Sequence, residues 1–227
     1  MKKRILLFTV LSLAATGVHL AAQEEVVDKV TVKLTNPAKP CFVEIGQING
    51  GITVMGYDGQ EVLVEAKTRM HKISEGRREG KTEGMIRIPV NSSSLTVEER
   101  DNRVEIDTEL WKRTTDVSVK VPKRASLKLS CVNDGDILVE NIVGDLEVNN
   151  VNGGVTLLNI SGSVVAHALN EGMKVTLSSV DPEKPMSFSS MNGDIDVTFP
   201  PSLKCNVKVK NDRGDVYSDF EITKVEK

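Results

Sequence analysis

Apolar residues recur with a period of nine in the middle of the chain, from residue 137 to residue 172. Each unit is apolar at positions 1, 3 and 6, small or polar at position 5, and usually glycine at position 8. Positions 1 and 3 share one face of a short strand, because successive side chains in a strand point to opposite sides. Position 6 breaks the alternation, so we expect a bend between positions 3 and 6. One unit is therefore predicted to be a strand plus a corner, and the four units begin at Ile137, Leu146, Val155 and Val164.

Two kinds of corner alternate along this repeat. Glycine beside Asn or Asp is expected to supply the positive φ of a tight turn. One kind of corner carries an asparagine after position 6, and these asparagines recur at intervals of about two units: Asn133, Asn152, Asn170 and Asn192. The other kind is plainer, at Val143-Gly144 and Ser161-Gly162. Two strands per coil, with the coils stacked on one another, predict parallel sheets. Residues at position 5 would then form a ladder, with amides that hydrogen-bond between successive coils, which we call rungs.

The pattern thus predicts an all-β chain, in the form of a β-solenoid or β-helix-like stack of about nine-residue strand-corner units. An antiparallel β meander, in which each Asn-Gly closes a hairpin, is the alternative. The fixed offset of glycine and the difference between odd and even turns favour the solenoid. Composition agrees with either all-β fold, because β-branched Val is the most frequent residue of the chain and turn-forming Gly, Ser and Asn are common.

Three parts of the chain follow from the extent of the repeat. Residues 1–22 are predicted to be a signal peptide, residues 23–115 an N-terminal β region with a charged loop near 67–103, and residues 116–227 the β-repeat region, continuous with the first. Within the middle part, a basic stretch at 71–83 indicates a solvated loop. Apolar residues alternate around Asp101-Asn102 and predict a hairpin: Leu95, Val97, Val104 and Ile106.

The N-terminus has the features of an export signal. Residues 2–4 are basic, Ile5–Ala15 is apolar, and Ala21-Ala22 offers a cleavage site. Cleavage near Ala22 would leave a periplasmic, cell-surface or secreted chain, and would change the net charge from −3 to −6. We expect no transmembrane segment in the mature chain. A mildly acidic chain is also a poor partner for nucleic acid.

Residues with catalytic or metal-binding potential are few. The mature chain has two histidines, His71 and His167, and no H-E-x-x-H, C-x-x-C or paired-histidine spacing. His167 follows an inward alanine and is predicted to point outward. The G-G-x-G-x-D run of calcium nonapeptides is missing, so the acidic corner residues are interpreted as turn formers: Asp134, Asp136, Asp145, Asp194, Asp212 and Asp215. We therefore assign no catalytic, cofactor-binding or metal residues and predict that the protein is not an enzyme.

Cysteines and aromatic residues add little chemistry. Cys41, Cys131 and Cys205 each alternate with apolar residues and are predicted to be small core residues, with a Cys131–Cys205 disulfide as the alternative. Arg213-Gly214-Asp215 spells a cell-binding tripeptide, but Gly-Asp recurs at the repeat corners, so a further corner is the preferred interpretation. Aromatic side chains that could stack on sugars are scarce and dispersed: Tyr57, Trp111 and Tyr217.

The stretch from Asp116 to Gly193 resembles a bacterial family labelled "putative adhesin", a domain of unknown function made of β-strand repeats. The matching residues are 117–122, 125–127 and the asparagine corners at 132–135, 151–153 and 191–193, and residues 48–58 are similar to the family's opening. The resemblance implies a β-repeat fold outside the cytoplasm, and it carries no catalytic residues.

We therefore hypothesise a non-enzymatic exported protein that acts as an adhesin-like or envelope-associated binding or scaffold module. Its partner would be an envelope protein or a glycan, and no cofactor is expected. Stacked rungs would place outward residues in rows on a rigid face, among them Glu140, Glu147, Thr156 and Val165. The alternatives are a structural or stress-sensing component of the envelope and, less favoured, a polysaccharide-active enzyme.

Overall fold

The computed structural model describes residues 25–69, 95–108 and 113–223. These residues form fifteen strands and no helix, so the all-β prediction is confirmed. The predicted signal peptide, the basic stretch at 71–83 and Trp111 lie outside the described residues. The strands are β1 (Glu25–Lys33), β2 (Phe42–Asn49), β3 (Ile52–Tyr57), β4 (Glu61–Arg69), β5 (Leu95–Arg100), β6 (Arg103–Thr108), β7 (Thr115–Pro122), β8 (Ser126–Asn133), β9 (Ile137–Glu140), β10 (Leu146–Asn150), β11 (Val155–Ser161), β12 (Val164–Ala168), β13 (Met173–Ser179), β14 (Ser187–Ser190) and β15 (Ile195–Thr198).

Two mixed sheets contain all of these strands. The eight-stranded sheet has the order β1-β4-β7-β3-β9-β11-β13-β15, and the seven-stranded sheet has the order β14-β12-β10-β8-β2-β6-β5. Successive strands from β7 to β15 alternate between the sheets, and those from β8 onward pair in parallel. Val155 lies beside Ile137 and Val164 beside Leu146, so each strand from β8 to β15 pairs with the strand two units away in sequence. In the described chain the antiparallel pairs are β1–β4, β4–β7 and β5–β6.

The core lies between the two sheets and consists of the inward side chains at positions 1 and 3. Ile137 and Val139 of β9 are buried, and so are Leu146 and Val148 of β10. The same alternation buries Val43 and Ile45 of β2 and Ile52 and Val54 of β3. Burial of these Val, Ile and Leu side chains is the main favourable term for the fold, at about 1.5–3 kcal/mol for each side chain.

Position 6 is inside at only one of the two corners, which corrects the sequence pattern. We call the turn from the seven- to the eight-stranded sheet corner 1, and the turn back corner 2. At corner 2, Ile142 and Ile160 are buried, because Asn141 and Asn159 at position 5 adopt φ of 60° and 57° and reverse the alternation. At corner 1 the strand continues through position 5, so Asn150 is buried there and the following residue faces outward.

Glycine at position 8 is required by close approach between rungs rather than by positive φ. Of the glycines at this position in the nine-residue units, only Gly162 has a positive φ, of 135°. A Cβ atom on Gly153 would lie 2.1 Å from the carbonyl oxygen of Gly135 in the preceding rung, and a Cβ on Gly144 would lie 2.1 Å from the oxygen of Ala125. The prediction of positive φ at these corners was therefore wrong for Gly144 and Gly153, although the residue type was correct for steric reasons.

Asparagine ladders connect the rungs at both corners. At corner 1 each amide donates to the amide oxygen of the preceding rung, at 2.8, 2.7 and 3.0 Å, along the series Asn133, Asn152, Asn170 and Asn192. At corner 2 the Asn159 Nδ2 donates to the Asn141 Oδ1 at 2.6 Å. The predicted position-5 ladder thus exists at corner 2, whereas the ladder of corner 1 is formed two residues later.

The N-terminal end of the stack is covered by the predicted hairpin. β5 and β6 pair around Asp101 and Asn102, with φ of 52° and 64°, which confirms the hairpin. Asn102 is buried and holds the loop before β2: its Oδ1 accepts from Asn36 N, and its Nδ2 donates to Asn36 O, both at 2.6 Å. This loop contributes Leu34 and Cys41 to the core.

Candidate functional site

The residues predicted to form outward rows do point outward, but they lie on two different faces. Glu147 and Val165 are neighbours on the outer face of the seven-stranded sheet, and Val165 is 50% exposed. Glu140 and Thr156 lie on the eight-stranded sheet, where they belong to different rows. No single face therefore collects all four residues.

One outward row of the seven-stranded sheet is free of charged side chains over five strands. The parallel register places these residues side by side: Gly46, Ser130, Asn149, His167 and Ser189. The prediction that His167 points outward is confirmed, and its Nδ1 lies 2.8 Å from Ser189 Oγ. Both side chains are exposed on a regular strand surface, and the contact joins adjacent rungs. Among the described residues no carboxylate hydrogen-bonds to this histidine to complete a catalytic triad.

The row beside it begins with an ion-pair cluster at the N-terminal end of the sheet. Glu44 accepts from Lys128 Nζ at 2.9 Å and also pairs with Arg103. The Lys128 hydrogen bond, aided by the charges of both cations, lowers the pKa of Glu44. The cluster is partly exposed, so it contributes little to stability.

A polar groove runs along corner 2 of the stack, with a volume of about 570 Å³. We call it the corner groove. The parallel pairing of β7, β3, β9, β11 and β13 stacks its lining residues, although they come from distant parts of the sequence. Its lining is Gly56, Tyr57, Asp58, Lys123, Asn141, Val143, Asn159, Ser161 and Ser178.

Tyr57 is the aromatic residue of the corner groove, and its ring is held in place. Its hydroxyl donates to the carbonyl oxygen of Glu61 at 2.8 Å. The ring occupies the space beside Gly59, where a Cβ atom would lie 2.0 Å from the ring carbon Cε2. At the same end, Lys123 Nζ pairs with Asp58 at 2.8 Å. The groove therefore presents a fixed ring beside a neutralised charge pair.

The floor of the corner groove offers amide and hydroxyl groups in successive rungs. The ladder bond uses the Asn159 Nδ2 and the Asn141 Oδ1, so in the described chain the Asn141 Nδ2 and the Asn159 Oδ1 remain available to a ligand. The hydroxyl of Ser161, in the same strand as Asn159, lies 2.9 Å from that of Ser178 in β13. Neutral donors and acceptors in a row beside an aromatic ring suit a polyhydroxylated, uncharged ligand.

Acidic corner residues bind backbone amides, as turn formers do. Asp136 Oδ1 accepts from Gly154 N at 2.8 Å, and Asp145 Oδ1 accepts from Ser163 N at 3.1 Å. The hydrogen bond from Lys184, followed by that from the Ser163 amide, lowers the pKa of Asp145. Within residues 25–69, 95–108 and 113–223, no group of three or more His, Cys, Asp or Glu side chains is placed to hold a metal ion.

All three cysteines are free, and one of them is exposed. Cys41 and Cys131 are buried as predicted, but Cys205 is exposed, so its prediction as a core residue was wrong. The alternation around Cys205 is real, but residues 201–223 form no strand, and the neighbouring Val207 and Val209 are exposed. The alternative Cys131–Cys205 disulfide is not formed.

A thiol-specific alkylating reagent should therefore modify Cys205 alone in the folded monomer. Burial raises the pKa of Cys131 to about 11, which leaves it without reactive thiolate at neutral pH. Mass spectrometry after alkylation should show one modified cysteine before unfolding and three after it. The Cys205→Ser variant should remain unmodified while folded, and native modification of Cys131 at a similar rate would contradict the burial described here.

No protein-family model matches this chain, and no curated protein matches it. Among the described residues no helix is long and apolar enough to cross a membrane. Solved structures similar to this chain include a "putative cell adhesion protein" from Clostridium sporogenes, with 15% identity and a TM-score of 0.47 over 78% of this chain and 95% of that one. Two proteins named "putative adhesin" also match over 78% of this chain. The protein from Parabacteroides merdae has 6% identity and a TM-score of 0.27, with 97% of its own length covered. The protein from Bacteroides fragilis has 11% identity and a TM-score of 0.26, with 98% of its own length covered.

Proposed function

We propose that this chain is an exported, non-enzymatic β-solenoid that binds a neutral glycan in the corner groove. The alternation of β8 to β15 between two sheets, with each strand paired in parallel with the strand two units away, supports the solenoid. The basic, then apolar, then small-residue pattern of residues 1–22 supports export. A mature N-terminus at Gln23 in protein isolated from the producing cell is the measurable consequence of export.

The observation that carries the binding function is the composition of the corner groove. An aromatic ring, two amides and two hydroxyls lie on stacked rungs, and the only charged side chains among its lining residues, Asp58 and Lys123, neutralise each other. Each lining strand is hydrogen-bonded to its neighbours, so little ordering is required when a ligand binds. A glycan offers hydroxyls to the amides and an apolar sugar face to the ring.

Titration with neutral oligosaccharides tests this proposal. Oligomers of glucose, galactose and N-acetylglucosamine are the probes, and we expect calorimetry to detect binding of at least one of them. Removing the ring in Tyr57→Ala should weaken binding by about tenfold. Asn159→Gly should also weaken it, since glycine keeps the φ of 57° while the amide is lost.

Tyr217→Ala is the matched control, because Tyr217 is 88% exposed and does not line the groove. Its binding should equal that of the unmodified protein. Failure of all three probes to bind, or equal binding by Tyr57→Ala, would overturn the proposal. Chromatography of the recovered sugar distinguishes binding from catalysis: intact oligomers support a binding module, and shortened or unsaturated products support the polysaccharide-active enzyme.

A structural or stress-sensing role in the envelope is the second candidate. The uncharged row from Gly46 to Ser189 favours it, because a continuous row of uncharged residues over five strands suits protein contacts better than a small ligand. If the protein recovers only envelope proteins from an extract and binds none of the oligosaccharides, this candidate replaces the first.

A further inference from the structure

The two ends of the strand stack differ in how their apolar residues are covered. At the N-terminal end, β1 and β5 close the sheets as antiparallel edge strands, and the Asn102 loop covers the core. At the C-terminal end, β14 and β15 are the edge strands, each paired on one side only, as β1 and β5 are. There Met191 is 74% exposed and Ile195 is 43% exposed. Stacked repeats need a cover at each end, and at this end the apolar side chains of Met191 and Ile195 remain exposed.

Residues 201–223, here called the C-terminal segment, contain the pattern of one more coil. Leu203, Cys205, Val207 and Val209 alternate with polar residues, and after a turn Val216, Ser218, Phe220 and Ile222 do the same. Asn211 follows Asn192 at the same spacing as Asn152 follows Asn133, so the asparagine of corner 1 recurs here in phase.

This segment nevertheless lies unpaired in the structure. It forms no strand, and its apolar side chains are exposed: Val207, Val209, Val216 and Ile222 by 58–64% and Phe220 by 40%. Phe220 contacts the ring of Phe199 at 6.3 Å between centroids, so the segment stays close to the open end. The segment, Met191 and Ile195 thus leave exposed apolar residues at this end of the stack, here called the apolar patch, and exposed apolar surface of this kind marks an interface.

The polar positions of the C-terminal segment show what kind of surface it fits. Its first half is basic, with Lys204, Lys208 and Lys210, and its second half is acidic, with Asp215, Asp219 and Glu221. Opposite charges on neighbouring strands stabilise pairing, and like charges destabilise it. The best partner for the basic half is therefore an acidic strand, and for the acidic half a basic one.

We propose that the open end binds a second copy of this chain. In this dimer the C-terminal segment forms the further coil that its pattern predicts. Its basic half is then the next strand of the seven-stranded sheet, and its acidic half is the next strand of the eight-stranded sheet. A twofold axis parallel to the strands exchanges the two sheets, so each basic half lies beside the acidic half of the other copy. A twofold axis along the sheet normal would instead put like charges together. Charge complementarity thus selects the first arrangement, which is closed and symmetric.

Sedimentation equilibrium of the purified protein tests the dimer. We expect a mass twice that of the monomer at micromolar concentration. Val209→Lys should weaken the dimer by about tenfold or more, because it places a charge in the apolar patch. Val165→Lys is the matched control: Val165 is 50% exposed, but it lies on the outer face of β12 rather than at the open end, so this variant should remain dimeric. Unchanged circular dichroism shows that both variants fold.

Charge exchange tests the arrangement itself. The triple variants K204E/K208E/K210E and D215K/D219K/E221K should each be monomeric, and an equimolar mixture should form a one-to-one dimer. The chain with all six changes should dimerise with itself, because complementarity is restored. A monomeric unmodified protein, or a mixture that does not associate, would overturn the proposal. These outcomes are independent of glycan binding in the corner groove.

Discussion

Replacing Gly153 by alanine should lower the free energy of unfolding by about 3 kcal/mol, at the upper end of the usual cost of overpacking. The new Cβ would lie 2.1 Å from the carbonyl oxygen of Gly135, a separation that real Cβ atoms do not show. The opposing atom belongs to the backbone of the neighbouring rung, which its own hydrogen bonds hold in place. The clash could therefore be relieved only if the two rungs separated, and the Asn150 hydrogen bonds at the same corner would then be lost.

Gly154→Ala supplies the matched control at the next position. The nearest atoms to a Cβ there are 3.6 Å away, an ordinary contact, and the φ of Gly154 is not positive. Alanine should be neutral or up to about 1 kcal/mol stabilising, because it restricts the unfolded chain. Urea unfolding followed by far-ultraviolet circular dichroism gives both values. Equal losses in the two variants would show that close approach of the rungs is not what requires glycine at position 153.

The strands and the core could be predicted from the sequence because burial follows local alternation. Positions 1 and 3 of each unit are spaced as a strand requires, and the side chains of Ile137, Val139, Leu146 and Val148 are all buried. The turn at Asp101-Asn102 could also be predicted from local sequence, because two residues that tolerate positive φ separate two alternating runs of apolar residues.

The roles of the corner residues could not be predicted, because identical residues occupy different environments. Asn141 and Asn150 are both asparagines at position 5. Asn141 is left-handed and lines the groove, whereas Asn150 continues an extended strand and is 1% exposed. What distinguishes them is the sheet to which the strand belongs, and this is a property of the assembled stack.

The corner groove was missed for a related reason. Tyr57 and Ser178 line the same surface only because β3, β9, β11 and β13 stack in one sheet. The break in the repeat after residue 66 conceals the register that joins β3 to the later rungs. The recurrence of asparagine at positions 141 and 159 is the available signal, and by itself it predicts only a ladder. Cys205 shows the opposite error, since alternation predicts an inward face but provides no partner to cover it.

Changing Asn150 to aspartate should be the most destabilising polar substitution in the repeat, at about 4 kcal/mol near neutral pH. Asn150 Nδ2 donates to the carbonyl oxygens of Gly135 and Gly154, both at 3.1 Å, and its Oδ1 is buried without a partner. A carboxylate at this place would lose both donors, face two carbonyl oxygens and bury an unpaired charge. Asn152→Asp, in the exposed ladder of the same corner, should cost less than about 1 kcal/mol.

The pH dependence of this penalty identifies buried charge as its cause. Burial should raise the pKa of the introduced carboxyl group in the folded protein above its unfolded value of about 3.9. Below the unfolded value both states are neutral, so the charge penalty is absent and only the lost hydrogen bonds remain. The penalty should grow as the pH rises from the unfolded to the folded pKa, and be constant above it. Urea unfolding of Asn150→Asp and the unmodified protein, from about pH 4 to pH 8, gives the difference directly. A difference that is independent of pH, or that grows as the pH falls, would mean that the carboxylate at this corner is solvated and that the two rungs are less tightly joined than the Gly135 and Gly154 contacts imply.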